Sequence, residues 1–370
     1  MELWPGSLEG MVMNPTFWKG KRVFITGHTG FKGSWLSLWL TSLGAKVTGY
    51  ALAPNSELSL FELANIDSLL ISIEADVCNV EHLYQALDNC QPEIVFHLAA
   101  QSLVRASYDD PLLTYKTNVM GTANLLENIR RLKLPCSLVN ITTDKCYENK
   151  EWHWGYREID RLGGFDPYSN SKACSELVTA SFRSSFFHPS QFQNHKVALA
   201  TARAGNVVGG GDWAKDRLIP DMLKALENNQ TVDIRYPHAV RPWQHVLEPL
   251  HGYLLLAEQL HTAGPQFAKA WNFGPNENDA CTVAEVACKL EQLWGKQNAW
   301  QAASGQHPHE AHYLRLDISL ARNELGWRPM LSIDKAIKLT VDWEKARLNN
   351  ADVRQTSLQQ IKDYQELIIH

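Results

Sequence analysis

The segment Arg22-Val-Phe-Ile-Thr26, followed at once by Gly27-His-Thr-Gly-Phe-Lys-Gly33, constrains this chain more than any other. A short apolar run, three glycines spaced three apart and helical periodicity from Phe31 to Leu43 predict strand, tight turn and helix in succession. Gly27 permits the turn, Gly30 lets a backbone come close to a pyrophosphate, and Gly33 lets the helix pack against the sheet. The helix N-terminus then offers free N–H groups and a positive dipole to phosphates. An ordinary structural glycine turn is the plain alternative. Position between strand and helix favours a dinucleotide, which makes Gly27, His28, Thr29, Gly30, Phe31, Lys32 and Gly33 candidate cofactor-binding residues.

The segments beyond Gly33 support a parallel sheet. Lys46–Tyr50, Glu93–His97, Ser137–Thr142 and Val197–Ala204 read as strands. Val80–Leu87, Leu113–Leu132 and part of Pro167–Phe186 read as helices. Strands alternating with helices predict an α/β, Rossmann doubly wound parallel sheet, with ligands outside the carboxyl ends of the strands. The acid that normally ends the second strand and binds a ribose is missing. Tyr50-Ala-Leu-Ala-Pro-Asn-Ser56 stands there, leaving Ala51, Asn55 and Ser56 as ribose neighbours. No arginine is close enough to meet a 2′-phosphate, so NAD is the expected cofactor. Asp76-Val77 faces the adenine or, equally well, caps a helix.

Composition narrows the rest. A net charge of −5 argues against a nucleic-acid partner. Seven cysteines, an odd number without CxxC spacing, argue against a disulfide framework or zinc site and for a reducing compartment. No apolar run reaches the roughly 18 residues of a membrane span, and the N-terminus has no signal-peptide pattern. A soluble cytoplasmic protein is expected. No metal is expected either, because His309, Glu310 and His312 lack a supporting ligand framework.

Tyr168-Ser-Asn-Ser-Lys172 puts a tyrosine and a lysine one helical turn apart, after a strand ending in Thr142-Thr143. A tyrosine that takes a proton from a sugar hydroxyl near neutral pH needs its pKa lowered from about 10 by roughly 3 units. A neighbouring ammonium and a cationic nicotinamide supply such a shift. A surface Tyr and Lys on an ordinary helix is the alternative where no glycine loop accompanies them.

The chain resembles the extended short-chain dehydrogenase/reductase family over nearly its whole length. The matching pieces are Gly27–Gly33, His97-Leu-Ala-Ala100, Thr117-Asn118, Gly121-Thr122, Thr143, Tyr168 and Lys172. Ile141-Thr-Thr-Asp-Lys-Cys-Tyr147, Trp154-Gly-Tyr-Arg-Glu158 and Arg203–Trp213 make it similar to the nucleoside-diphosphate-glucose 4,6-dehydratases, in their CDP-specific branch. The resemblance implies CDP-glucose as substrate, Tyr168 as base, Thr143 as its hydrogen-bonding partner, Lys172 on the nicotinamide ribose and Asp144 as acid. Lys145 stands where a glutamate base is usual, and a lysine is a base only when deprotonated. The plain alternative makes Asp144 a helix cap and Lys145 a solvated charge. The resemblance further places Leu98, Ala99, Ala100 and Asn118 at the cofactor, and Gln101, Ser102 and Arg105 at the sugar. Asn206, Arg217 and Arg241 fall at the diphosphate, where arginine forks suit phosphate oxygens. Trp213 or Tyr236 stacks on the base, and His309, Glu310 and His312 match a nucleotide-ribose motif loosely.

The expected organisation is a leader over 1–15, a Rossmann domain over 16–205 with 238–265 returning to it, a smaller C-terminal substrate-binding lobe from 206–237 and 266–345, and a helical tail over 346–370. The two long helices carrying Asn118 and Tyr168 imply a homodimer or homotetramer through a four-helix bundle. Two other readings stay open: a nucleotide-sugar 4-epimerase, which needs no acid after the threonine, and a non-catalytic dinucleotide-binding regulator, which typically loses the tyrosine. A role in lipopolysaccharide O-antigen biosynthesis rests on the resemblance alone.

Overall fold

The computed structural model describes residues 13–304 and 313–369. Its centre is a seven-stranded, wholly parallel sheet built from β1 (Arg22–Thr26), β2 (Lys46–Ala51), β3 (Ile71–Glu74), β4 (Ile94–His97), β5 (Ser137–Ile141), β6 (Ala198–Ala204) and the edge strand Ala270–Phe273. Their order is β3-β2-β1-β4-β5-β6-edge, so the direction of winding reverses between β1 and β4. That reversal leaves a crevice beyond the strand ends, where α/β sheets bind ligands.

Both faces are covered, as a parallel sheet requires. On one face Trp35, Leu36 and Trp39 of α1 (Phe31–Ser42) share a core with the leucine-rich helix Leu247–Thr262. On the other, helix Val80–Cys90 packs with Leu125, Leu126 and Ile129. A third, smaller core gathers Ile219, Met222, Val286, Leu290 and Ile337 into the lobe above the crevice. The terminal helix Val353–Ile369 docks back on α1, Trp39 meeting Tyr364 edge-on at 5.8 Å.

Three expectations need correction. Residues 1–12 lie outside the described residues, but Met13, assigned to the leader, is buried in the main core, and the Asn14 amide donates to Glu258 at 3.1 Å. Ala270–Phe273, assigned to the substrate lobe, pairs with β6 and so belongs to the main sheet. The continuous helix expected over Leu113–Leu132 is Pro111–Tyr115 and Gly121–Leu132, joined by a π-helical turn at Lys116–Met120. One extra residue per turn there swings Asn118 inward, where it is buried.

Candidate active site

Beyond the strand ends runs a cleft of about 820 Å³, with Gly27–Gly33 at one wall, Thr143 to Lys145 on the floor and Asn206 to Arg241 on the lobe side. The glycine loop is shaped by contact distances. Gly27 has φ +77°, and a β-carbon on it would lie 2.7 Å from the Ala99 amide nitrogen. One on Gly33 would lie 2.0 Å from the Gly27 carbonyl oxygen, so neither position admits a side chain. Gly30 is open by comparison, its nearest neighbour at 3.4 Å, and it caps α1 without any side-chain hydrogen bond. Close packing at two glycines and open space at the third, against an uncapped helix end, fits a bound pyrophosphate. Along the same wall Ala51, Asn55, Asp76, Val77, Leu98, Ala99 and Ala100 line the cleft.

His28 does not. Its ring is buried beneath β2, where a β-carbon on Gly49 would meet it at 2.2 Å, and Nε2 lies 2.8 Å from Ser72 Oγ. Burial holds this imidazole neutral, its pKa pulled down to about 4. Asn118 and Gln101 are likewise absent from the cleft lining. Asn118 accepts from the Gln101 amide at 2.8 Å and donates to the Gln101 carbonyl and to Ser171 Oγ, pinning the loop after β4 to the Tyr168 helix. Gln101 directs its own side-chain amide to Leu103 and Thr114. Asn118 and Gln101 fix the backbone of the loop after β4, while His28 packs between strands in the core.

The chemistry gathers where β5 ends. The Thr143 hydroxyl is within hydrogen-bonding reach of the Tyr168 phenol and donates to Asp144 Oδ1 at 3.0 Å. Asp144 is 1% exposed, and its Oδ2 has no partner. Burial raises its pKa, partly opposed by Lys145, the Thr143 hydrogen bond, Arg241 and Lys32. A buried carboxyl with a bare oxygen can hold a proton and deliver it. Burial also pushes Tyr168 up to about 12, against the Thr143 hydrogen bond and Arg217. The lowering that catalysis asks of this phenol is therefore not supplied by the protein alone. Lys172 Nζ donates to the Ile141 carbonyl at 3.0 Å, and burial brings its pKa down to about 8.

Toward the lobe, Arg217 donates to Asp212 at 2.9 Å and to Ser102 at 3.2 Å, and Arg105 to Asp216 at 2.5 Å. Ser102, Arg105, Asn206, Arg217 and Arg241 all line the cleft, as do Trp213 and Tyr236. The Trp213 ring already carries the Arg347 guanidinium at 5.1 Å. His309, Glu310 and His312 lie outside the described residues. Sequence reasoning missed Arg235 and Asp216, which face each other at 3.7 Å on the cleft wall. Neither falls in a motif; only the density of arginines between 217 and 241 hinted at an anion site. Lys32 was placed with the cofactor, but its charge also acts on Asp144 and Lys172, and burial among those charges lowers it to about 7. Among the described residues, no cluster of His, Cys, Asp or Glu is placed to hold a metal, and no helix is long and apolar enough to cross a membrane.

Residues 24–340 match the family model described as GDP-mannose 4,6 dehydratase. A CDP-glucose 4,6-dehydratase of Salmonella typhimurium is 53% identical over 95% of this chain and 98% of its own length. A dTDP-glucose 4,6-dehydratase of Streptomyces venezuelae, solved with NAD bound, superposes with TM-score 0.75 at 22% identity, over 90% of this chain and 99% of that one. A UDP-glucose 4-epimerase of Thermotoga maritima gives TM-score 0.74 at 22% identity, over 88% and 99%. The two structures establish the fold.

Proposed function

The chain belongs to the GDP-mannose 4,6-dehydratase family, and from that premise we propose that it is an NAD-dependent CDP-glucose 4,6-dehydratase, a hydro-lyase that turns CDP-glucose into CDP-4-keto-6-deoxyglucose and water. The observation that carries the reading is Asp144. A buried carboxyl with a free oxygen, one residue after the threonine that faces Tyr168, is what elimination needs and simple epimerisation does not. The 53% identity to the Salmonella enzyme supports the nucleotide.

Gly27, Gly30 and Gly33 fit an NAD pyrophosphate, and NAD held there would supply a hydride acceptor for C4 and the matching donor for C6. The protein's groups move the protons. Tyr168 takes the proton of the C4 hydroxyl, which Thr143 orients. Its deprotonation, costly at a pKa near 12, would be favoured by the positive charge of a bound nicotinamide together with the Lys172 ammonium one helical turn away. The C4 ketone acidifies C5. Lys145, in the cleft beside the acid, takes the C5 proton and gives it back to C5 when C6 accepts hydride. Asp144 gives its proton to the departing C6 hydroxyl, which leaves as water. Arg217, Arg241 and Asn206 hold the diphosphate, while Ser102 and Arg105 border the sugar.

The assembly we propose is a homodimer. Leu112 and Leu113 on the short helix, Met120 at the end of the π-helical turn and Leu177 on the packed Tyr168 helix have between 49% and 79% of their surface exposed, more apolar area than solvent-facing helices usually show. Free cysteines throughout suit a cytoplasmic location, and the product class suits supply of deoxysugars to lipopolysaccharide O-antigen. The direct test is mass spectrometry of the protein incubated with NAD and, separately, CDP-, UDP- and dTDP-glucose. Loss of one water from CDP-glucose alone is expected. No mass change, with galactose released on hydrolysis, would favour epimerisation instead.

A further inference from the structure

The helix bearing Tyr168 and Lys172 is stitched to the end of β5 at three successive residues. Asn140 donates to Ser175 and Thr179 at 3.0 and 2.8 Å. The Ile141 carbonyl accepts from Lys172 at 3.0 Å. The Thr142 hydroxyl donates to Glu176 Oε1 at 2.5 Å. The next residue is Thr143. Glu176 lies one helical turn beyond Lys172, is 3% exposed, and its other oxygen accepts from Thr201 at 2.7 Å and from Arg203 at 2.8 Å. Arg203 continues to the Tyr147 hydroxyl at 2.8 Å and the Glu158 carbonyl at 3.1 Å. A charged pair this deep rarely earns its place through stability, since apolar replacements of similar volume are often as good.

We propose that Glu176 is a positioning residue of the active site. Its carboxylate holds the Thr142 hydroxyl, so that Thr143 and Asp144 face Tyr168, and it is the buried negative charge that keeps Lys172 cationic. The inference rests on the dehydratase reading. Burial raises the Glu176 carboxyl, but Arg203 and the two threonine hydroxyls outweigh it, leaving the group ionised. Around Lys172 the charges are few. Glu176 and the Cys146 thiol favour its ammonium, and burial opposes it. Lys32 and the buried, neutral His97, held between Thr26 and Thr122, also lie within its field. Facing Glu176 itself are Arg203, Arg183 and Cys146. Glu176 is thus the one carboxylate among these groups.

Removing that charge lowers the pKa of Lys172, so activity that needs its ammonium is lost at a lower pH. At an effective dielectric near 20 and one helical turn of separation, roughly 6 Å, the shift is about two pH units. The experiment is the pH profile of kcat for CDP-glucose dehydration by Glu176→Gln, measured beside the parent enzyme. Because Arg203 loses its partner in that variant, Glu176→Gln/Arg203→Met is run as well. It removes both charges together, and thermal unfolding checks that each variant is folded. The expected result, in whichever variant folds, is an alkaline limb about two units lower, with kcat near pH 8 down roughly fiftyfold and KM for CDP-glucose within about twofold of the parent. A profile that superimposes on the parent's, or a loss uniform across pH, would overturn the assignment. An inactive parent enzyme would instead sink the dehydratase reading, so the two failures are distinguishable.

Discussion

Replacing Asp144 by asparagine separates the steps of the reaction. Asparagine keeps the shape, and its amide oxygen can still accept from Thr143, as Asp144 Oδ1 does at 3.0 Å. It removes the one transferable proton. The oxygen replaced is Oδ2, which is buried and has no protein partner, so no neighbouring side chain is hydrogen-bonded there to stand in for the acid. A positioned general acid contributes about 10² to 10⁴ in rate, or about 3–5 kcal/mol of barrier. The upper half of that range is expected here, since burial already favours the protonated form. The assay is single-turnover mixing with CDP-glucose, following near-ultraviolet absorbance of reduced nicotinamide and quenching for product mass. Oxidation should persist, so reduced cofactor builds up while loss of water slows about a thousandfold or more. Dehydration within tenfold of the parent, or oxidation and dehydration slowed equally, would refute the assignment of Asp144 as the acid.

The glycine loop gives a paired contrast. Gly30→Ala meets only ordinary contact at 3.4 Å and should fold while binding NAD at least tenfold more weakly by calorimetry, whereas Gly33→Ala drives a β-carbon into the Gly27 carbonyl at 2.0 Å and should lower Tm outright. Equal stability losses would mean that Gly30 faces no ligand. Glu248 is buried, accepts from the Met330 and Leu331 amides and from Tyr364, and burial raises it to about 7. An acid whose folded pKa exceeds its unfolded value stabilises most below the unfolded value and loses that stability as pH rises. The penalty is therefore complete above about pH 7, at roughly 3 kcal/mol. Glu248→Gln should raise Tm at pH 8 and flatten its fall between pH 4.5 and 7; an unchanged slope would contradict this. Leu112, 79% exposed on the proposed dimer face, should be needed for assembly. Leu112→Arg should run as a monomer by light scattering with Tm of the subunit little changed, and a persistent dimer would move the interface elsewhere.

Much of the site could be read from the sequence because it sits at chain-local turns. The glycine loop, Thr143-Asp144-Lys145 and the Tyr168/Lys172 turn each lie within seven consecutive residues, and the parallel sheet gathers strand ends into one crevice. What was not legible depends on contacts between distant segments. β3 alternates apolar and polar as Ile71-Ser-Ile-Glu74, but at four residues, three of them exposed, the run is too short to stand out. Ala270–Phe273 takes its place from pairing with β6 across about sixty intervening residues. His28 looks like a cofactor residue in the motif, yet the absent side chain at Gly49, on a neighbouring strand, makes room for its ring in the core. Asn118 turns inward only because of a π-helical turn that periodicity does not reveal. Asp216 and Arg235 meet through tertiary folding of the lobe.

The central claim is that one enzyme-bound cofactor oxidises C4 and reduces C6 around an elimination. Its most direct test is turnover of CDP-glucose carrying deuterium at C4, with the product read by mass spectrometry and deuterium NMR. The account expects a product lighter by one water that keeps its deuterium, now at C6, with no net consumption of NAD. Deuterium retained at C4, or lost to solvent or to free reduced cofactor, would contradict it.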